Sequence, residues 1–378
     1  MNYRHHYHAG NFADVMKHAV LVQLVRGLQR KDKGFLYLDT HAGRGSYDLT
    51  AAHRGDTLER NPEHPDGIGR LIASFPREIL PGSARVPRAA PGVSPDAWER
   101  GHPAREGLGG TPKPARETRA LPEPVRAPDQ TDSTSDNAPL ADYLRLVRDF
   151  DRRSGNLDPS AIRYYPGSPS LVRALMRPQD RMALCEMHPA EFQSLRDDMY
   201  SAGRAVSPKP PRMSGGARGG FGETALPAER IPANISVHEM DGYTSLRAML
   251  PAPEKRALVL IDPPYETQNE YEQITKSLRD ALRRMNAATC AVWYPLTERA
   301  RANEFLDKLA MLNPPPTLAA ELAIAGEATA LKMRGCGLAI INPPWQIDQT
   351  LKPMLAALAQ RLAQAPGAES RLEWIVRE

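Results

Sequence analysis

The sequence predicts an α/β fold built on a mostly parallel β-sheet with helices on both faces. Two observations carry this expectation. Short apolar runs rich in β-forming residues recur at Phe35–Asp39, Met182–Glu186, Ile235–Met240, Ala257–Asp262, Cys290–Tyr294 and Gly337–Asn342. Stretches with helical spacing of apolar residues alternate with them, at Ser170–Met176, Ala190–Tyr200, Thr244–Leu250, Glu270–Met285 and Glu298–Leu312. Strands that are apolar throughout, rather than on alternate residues, are covered on both sides, and helical crossovers make their neighbours parallel.

Taken in order, the chain first offers a helix. Asn11 is placed to cap it, Asp14 lies near its positive end and Gly34 lies beyond its last turn. Val15, Ala19, Val22, Val25 and Leu28 predict one buried stripe along it. The first strand follows at Phe35–Asp39. The next ends only at Glu186, far beyond the few residues plus one helix of an ordinary connection. An insertion therefore occupies this gap. Asp66–Phe75 and Leu140–Arg153 have helical periodicity, so the insertion is read as a small helical subdomain. The expected organisation is residues 1–45, then the insertion at 46–163, then 164–378.

Two tracts depart from this pattern. Residues 81–137 and about 205–232 are rich in Pro, Arg, Gly and Ser and lack sustained apolar periodicity. Such text buries too little surface to offset its ordering entropy, so both are expected to be flexible insertions, and they account for much of the excess of the 36 prolines. The net charge of +4 is mildly basic, which permits a polyanionic partner without demanding one. Three widely spaced cysteines form neither a disulfide framework nor a zinc motif. No apolar run is long enough for a transmembrane helix and the N-terminus has no apolar signal core, so a soluble cytoplasmic protein without membrane attachment is expected.

In an open parallel sheet, ligands bind beyond the carboxyl ends of the strands, where strand order reverses. The first strand ends in "LDTHAGRGSYD", with Asp39, His41, Gly43 and Gly45; a plain tight turn explains this equally well, and the dinucleotide fingerprint is not completed by a third glycine. The second ends at Glu186, a carboxylate able to accept ribose hydroxyls or simply an acid opening a helix. The third ends in Asp241-Gly242, either an acceptor for an adenine amino group with room for the ring or an ordinary turn.

The fourth strand ends in Asp262-Pro263-Pro264-Tyr265. The exocyclic amine of a purine is a poor nucleophile, because its lone pair is delocalised into the ring. Hydrogen bonds from its N–H groups to Asp262 and to the carbonyl of Pro263 favour a pyramidal nitrogen that can attack an electrophilic methyl group. The prolines stiffen the turn and supply no competing N–H, and Tyr265 can stack on the base. A similar "INPPW", from Ile341 to Trp345, comes late in the chain. Asn342 is neutral and its prolines are read as ending a strand before a helix at about Thr350–Leu362. Trp345 is expected to serve packing, or at most the edge of an RNA surface.

Together, "HAGNFADVMKH", "FLYLDTHAGRGSY", "YYPGSP", "CEMHP", "DG" and "LIDPPY" resemble the RlmJ family of 23S ribosomal RNA adenine-N6 methyltransferases. The resemblance spans nearly the whole chain outside the two tracts. It implies a Rossmann-like class I methyltransferase fold with a C-terminal antiparallel strand and an inserted helical subdomain. It also implies S-adenosylmethionine as cofactor, 23S ribosomal RNA as partner, no metal and a monomer. By the same resemblance, His18, His41, Ser168, Glu186, Asp241 and Gly242 line the cofactor site. Asp262 is the proton-accepting catalytic residue, with Pro263, Tyr265, His5 and Lys17 beside it, and Tyr3 contacts RNA. Backbone N–H groups at the Ser168 helix start suit the methionine carboxylate.

Without the family, the N-terminal residues are ambiguous. His5, His6 and His8 read as an ordinary polar end as readily as a metal site, since no carboxylate or cysteine completes a ligand set nearby. Lys17 reads as the partner of Asp14 one turn back, worth a few tenths of a kcal/mol. His18 reads as a half-buried helix residue. Two functional alternatives remain: a DNA adenine-N6 methyltransferase, which would need base flipping and has no evident DNA-reading module here, and a non-catalytic RNA-binding or ribosome-assembly factor. A nicotinamide dehydrogenase is disfavoured because it leaves the Pro-Pro motif without a task.

Overall fold

The computed structural model describes residues 8–50, 61–75, 138–200, 234–267, 269–329 and 331–377. Both expected flexible tracts lie outside the described residues, as do Tyr3, His5 and His6.

The chain enters through helix α1 (Phe12–Gln29) and strand β1 (Leu36–Asp39). The segment between β1 and the next strand of the main sheet, where an insertion at 46–163 is expected, forms a short strand β2 (Ser46–Asp48), helices α2 (Ile68–Ala73) and α3 (Ala138–Arg153), and then β3 (Tyr164–Pro166). β2 and β3 pair antiparallel, Tyr47 against Tyr165, so the two ends of the insertion are stitched together beside the sheet. After α4 (Ser168–Leu175) the alternation becomes regular: β4 (Arg181–Glu186), α5 (Pro189–Tyr200), β5 (Ile235–Glu239), α6 (Gly242–Met249), β6 (Ala257–Ile261), α7 (Glu270–Arg284), β7 (Thr289–Pro295) and α8 (Arg299–Ala310). The chain finishes with β8 (Thr317–Ala323), β9 (Gly335–Ile341), α9 (Ile347–Leu362) and β10 (Glu369–Val376).

The main sheet has eight strands in the order β5-β4-β1-β6-β7-β9-β8-β10. β5, β4, β1, β6 and β7 are mutually parallel, whereas β9 runs antiparallel between β7 and β8, and β10 is antiparallel at the edge. The chain steps outward from β1 through β4 and β5, then returns to β6 on the other side of β1. Strand order therefore reverses at β1, which puts a ligand crevice above Asp39, Glu186 and Asp262. This is the expected Rossmann-like, mostly parallel arrangement, with more antiparallel pairing at its far end than the single strand anticipated. β8 and β10 are not among the strands expected from the apolar runs. The β8 text, "TLAAELA", consists mainly of helix-forming residues, and it pairs as a strand because neighbours on both sides satisfy its backbone.

Helices cover both faces. α1 to α5 and α9 pack on one face, and α6, α7 and α8 on the other. α1 carries more than the expected stripe: every residue from Phe12 to Val25 is buried, because α3, α4 and α9 surround it while β9 lies beneath. Such a helix is a central strut, and polar groups on it must find partners inside the protein. α2 and α3 bury Ile68, Leu71, Leu144 and Val147 in the same core as the sheet face, so the described helices of the insertion share one hydrophobic interior with the sheet.

Candidate active site

A cleft of about 920 Å³ opens over the carboxyl ends of β1, β4, β5 and β6. Every predicted site residue within the described part of the chain lines it: Lys17, His18, His41, Ser168, Glu186, Asp241, Gly242, Asp262, Pro263 and Tyr265. Tyr3 and His5 belong to the residues outside the described part.

At the centre stands Lys17, projecting from the first turns of α1. Its Nζ lies 2.8 Å from Asp14 Oδ1 and 2.6 Å from Asp262 Oδ2. Lys17 and Asp14 are almost fully buried, while Asp262 retains 19% exposure toward the cleft. Burial opposes the ammonium charge, but the two carboxylates outweigh it and hold the Lys17 pKa well above its ordinary value. Lys17 is thus a fixed cation and cannot serve as a base. The expectation of a weak surface pair with Asp14 is corrected: the pair exists, but it is buried and shared with Asp262. Lys17 engages Oδ2, and Oδ1 of Asp262 accepts no hydrogen bond from a described residue. Pro263 is buried behind it, and Tyr265 closes the turn in the left-handed region at φ 51°. The Tyr265 hydroxyl donates to the Trp293 carbonyl at 2.5 Å, and its ring packs against Tyr271 and Trp293. The ring on which a base could stack is therefore fixed before any ligand arrives.

The other wall is set by backbone contacts. Glu186, at the tip of β4, accepts from the amides of Gly43 at 2.9 Å and His188 at 2.7 Å, one on each carboxylate oxygen. Asp241 caps α6 by accepting from the Thr244 amide at 2.8 Å. Gly242 has no space for a side chain, since a Cβ there would lie 2.4 Å from the Thr40 carbonyl oxygen and 2.7 Å from the His41 ring. That close approach brings the β1 and β5 loops together at the cleft floor.

The two histidines are wired to opposite tautomers. Thr40 Oγ1 donates to the Leu260 carbonyl at 3.0 Å, so its 2.8 Å contact with His41 Nδ1 requires Nδ1 to be the donor. Nε2 of His41 is then an acceptor, and burial lowers the His41 pKa, favouring the neutral ring. His18 Nδ1 lies 2.8 Å from Tyr165 Oη, which is 2.9 Å from Tyr143 Oη. Tyr143 is fully buried, and if its hydroxyl accepted from Tyr165 its own proton would have no acceptor among the described residues. The chain therefore runs from Tyr143 to Tyr165 to His18 Nδ1, leaving the His18 proton on Nε2. His18 supplies a donor and His41 an acceptor.

Behind this wall, Asp39 is completely buried. It accepts from Tyr37 Oη at 2.8 Å and Ser168 Oγ at 2.7 Å, while Oδ1 has no partner among the described residues. Burial pushes its carboxyl up to about 6, against the opposing effect of the two hydroxyl donors. Asp39 thus orients Ser168, which reaches the cleft from the start of α4.

Asp14, Tyr143 and Tyr165 are not singled out as site residues by the sequence, and Asp39 is named there only among the residues ending the first strand. Asp14 and Asp39 are visible as a helix-start acid and a strand-end acid, but only the fold shows what they hold. Tyr165 lies inside "YYPGSP", whereas nothing in the sequence links Tyr143 to the site.

The two Pro-Pro stretches differ in backbone as well as in place. In the first, the tyrosine takes positive φ; in the second, Asn342 does, at φ 50°. Asn342 follows the antiparallel β9, whose last residue, Ile341, pairs with Cys290 near the start of β7. The second stretch is thus at the opposite edge of the sheet from the cleft. Trp345 is 75% exposed, which corrects the packing role expected for it.

Among the described residues, no cluster of histidine, cysteine, aspartate or glutamate is arranged to hold a metal, and no helix is long and apolar enough to cross a membrane.

Comparison with known proteins follows the same lines. A family model described as "Ribosomal RNA large subunit methyltransferase D, RlmJ" matches residues 128–209 and 229–376. The chain is 30% identical to "Ribosomal RNA large subunit methyltransferase J" of Escherichia coli K12, over the full length of both. It is 28% identical to the protein of the same name from Haemophilus influenzae, again over the full length of both. Among solved structures, a Legionella pneumophila protein superimposes with a TM-score of 0.64 at 28% identity, covering 97% of this chain and 98% of that one.

Proposed function

The chain belongs to the RlmJ family of ribosomal RNA large subunit methyltransferases, and we propose that it transfers the methyl group of S-adenosylmethionine to the N6 amino group of an adenine in 23S ribosomal RNA. The observation that carries the reading is the position of Asp262: at the tip of β6, beside the strand-order reversal, with one oxygen held by Lys17 and the other open to the cleft.

The residues on the opposite wall suit the donor. Acceptors at Glu186 and Asp241 match ribose hydroxyls and an adenine amino group. A donor at His18 and an acceptor at the Ser168 hydroxyl, whose proton is held by Asp39, match the carboxylate and ammonium of an amino-acid tail. When bound, S-adenosylmethionine supplies an electrophilic methyl group on a sulfonium sulfur.

Asp262 Oδ1 and the Pro263 carbonyl accept the two N–H bonds of the target adenine. This turns the nitrogen lone pair out of conjugation and toward the methyl carbon. With the methyl donor bound, formation of the N–C bond would break the S–C bond, whose electron pair would go to sulfur. One N–H proton leaves the nitrogen toward Asp262. Lys17 holds the Asp262 side chain in one orientation and balances its charge, so that Oδ1 faces the amine.

Incubation with labelled S-adenosylmethionine and unmodified 23S RNA, with duplex DNA as competitor, tests the proposal. N6-methyladenine in the RNA nucleosides is expected. Label only in DNA, or in no nucleic acid, would overturn it.

A further inference from the structure

The second Pro-Pro stretch is left unused by this chemistry, and it presents an unusual surface. Trp345 stands 75% exposed at the tip of a stiff turn. Pro343 and Pro344 fix the backbone before it, and Gln346 after it takes the left-handed region at φ 59°. The turn is seated against the end of α1. Pro344 packs onto Gly27, where a Cβ would lie only 2.7 Å from the proline Cβ. Arg30 Nη1 donates to the Trp345 carbonyl at 3.1 Å, and Thr289 Oγ1 donates to the Asn342 carbonyl at 2.8 Å. An apolar ring held this firmly in solvent contributes nothing to the core.

The charges beside it divide into two groups. Arg177 and Arg256 donate to carbonyls at the end of α1 and in the turn after it, among them those of Leu28, Lys31 and Lys33, so they serve the fold. Lys31 and Lys33, exposed on the turn that follows Arg30, make no ion pair among the described residues. The same turn carries the acid Asp32, so cations exceed anions there. Cations without an ion pair among the described residues, on the turn that follows the arginine holding the Trp345 carbonyl, suit a single-stranded nucleic acid: its phosphates for the charges and an unstacked base for the exposed ring.

We propose that Trp345, Lys31 and Lys33 form a second contact for the RNA substrate, at the amino-terminal edge of the parallel strands. The inference rests on the RNA reading above. β7, seven residues long, separates this edge from the cleft, so the contact lies roughly 20 Å or more from Asp262. It takes an unpaired nucleotide of the RNA outside the segment that enters the cleft, which makes it a determinant of substrate length.

The test compares wild type with Trp345→Ala and with the double variant Lys31→Gln/Lys33→Gln. Direct binding to 23S RNA and methyl transfer are measured on long RNA and on a short fragment containing only the modified nucleotide and its neighbours. For Trp345→Ala, about tenfold weaker binding to long RNA is expected, with KM raised to match. The short fragment should be methylated as by wild type, with kcat unchanged on both. The lysine variant should lower the salt dependence of binding, by roughly 0.7 in logarithmic slope for each phosphate it no longer neutralises. Unchanged binding to long RNA, or equal losses on long and short RNA, would overturn the proposal. So would an effect seen only with duplex DNA. If wild type binds RNA but transfers no methyl group, the catalytic reading fails while the binding comparison still decides this one.

Discussion

Lys17 and Asp262, 245 residues apart in sequence, meet through a 2.6 Å ion pair at the centre of the cleft. A second carboxylate, Asp14, holds the same ammonium at 2.8 Å. The pair locks the first turns of α1 to the loop after β6, so a structural strut also fixes the orientation of the carboxylate proposed to receive the amine. Lys17→Ala would remove the buried ammonium from between two carboxylates. It is expected to destabilise the fold by about 3–5 kcal/mol, read by chemical denaturation, and to reduce methyl transfer strongly. Lys17→Arg keeps the charge and should recover most of the stability but not the aim of Asp262, giving a lower kcat.

The wiring of the histidines makes a spectroscopic prediction. Nitrogen NMR should find the His18 proton on Nε2 and the His41 proton on Nδ1, with the His41 ring neutral at pH 7.5 because burial lowers its pKa. Tyr165→Phe removes the donor to His18 Nδ1, so the His18 proton should redistribute between its nitrogens while His41 stays unchanged. Donor affinity should fall about tenfold, the worth of one hydrogen bond of roughly 1 kcal/mol or more. An unchanged His18 spectrum in that variant would refute the relay.

Asp39 carries a pH signature. Its carboxyl titrates at about 6 in the folded chain, against an ordinary 3.8, so the native state holds this proton more tightly than the unfolded state. Below about pH 4 both states are protonated and the group has no effect. Between 4 and 6 the unfolded state ionises first, so stability falls as pH rises, and above 6 the full cost is present. That cost is on the order of 3 kcal/mol for two pKa units. Asp198, also at about 6, adds a second slope of the same sign. Asp39→Asn should remove only its own share, visible as a shallower loss of stability from pH 4 to 6. The Asn carbonyl oxygen can still accept from Ser168 and Tyr37, so binding of the methyl donor should change little.

Gly242 admits no side chain. Gly242→Ala sets a Cβ against the Thr40 carbonyl, a rigid backbone atom, and should cost about 1–3 kcal/mol as the start of α6 shifts. Because Asp241 and His41 move with it, calorimetry should show donor binding reduced, with RNA binding near the wild-type level.

Much of this site is legible from sequence, for a definite reason. In a parallel sheet, strand-end residues are forced toward one edge, so Glu186, Asp241 and Asp262 converge once the strands are recognised. The α1 residues are harder. A helix surrounded on all sides shows no polar face, and Lys17 reads as a surface pair until the insertion and α9 are seen to bury it. Tyr143 belongs to a helix of the insertion, and only the stitching of β2 to β3 brings it near His18. Edge strand β10 shows alternating exposure, a pattern visible in "ESRLEWIV". β8 shows no such pattern, because it lies between two partners and holds Glu321 buried against Tyr294 and Arg299.

The proposed chemistry stands or falls on Asp262 drawing the adenine amine into position through its free oxygen. Single-turnover methyl transfer to 23S RNA by Asp262→Asn, with donor and RNA binding measured on the same protein, isolates that step. The amide preserves shape but cannot reproduce the paired acceptor. A fall of at least about a hundredfold in the transfer rate is expected, with both dissociation constants within a few fold of wild type. Transfer at the wild-type rate would contradict this role for Asp262.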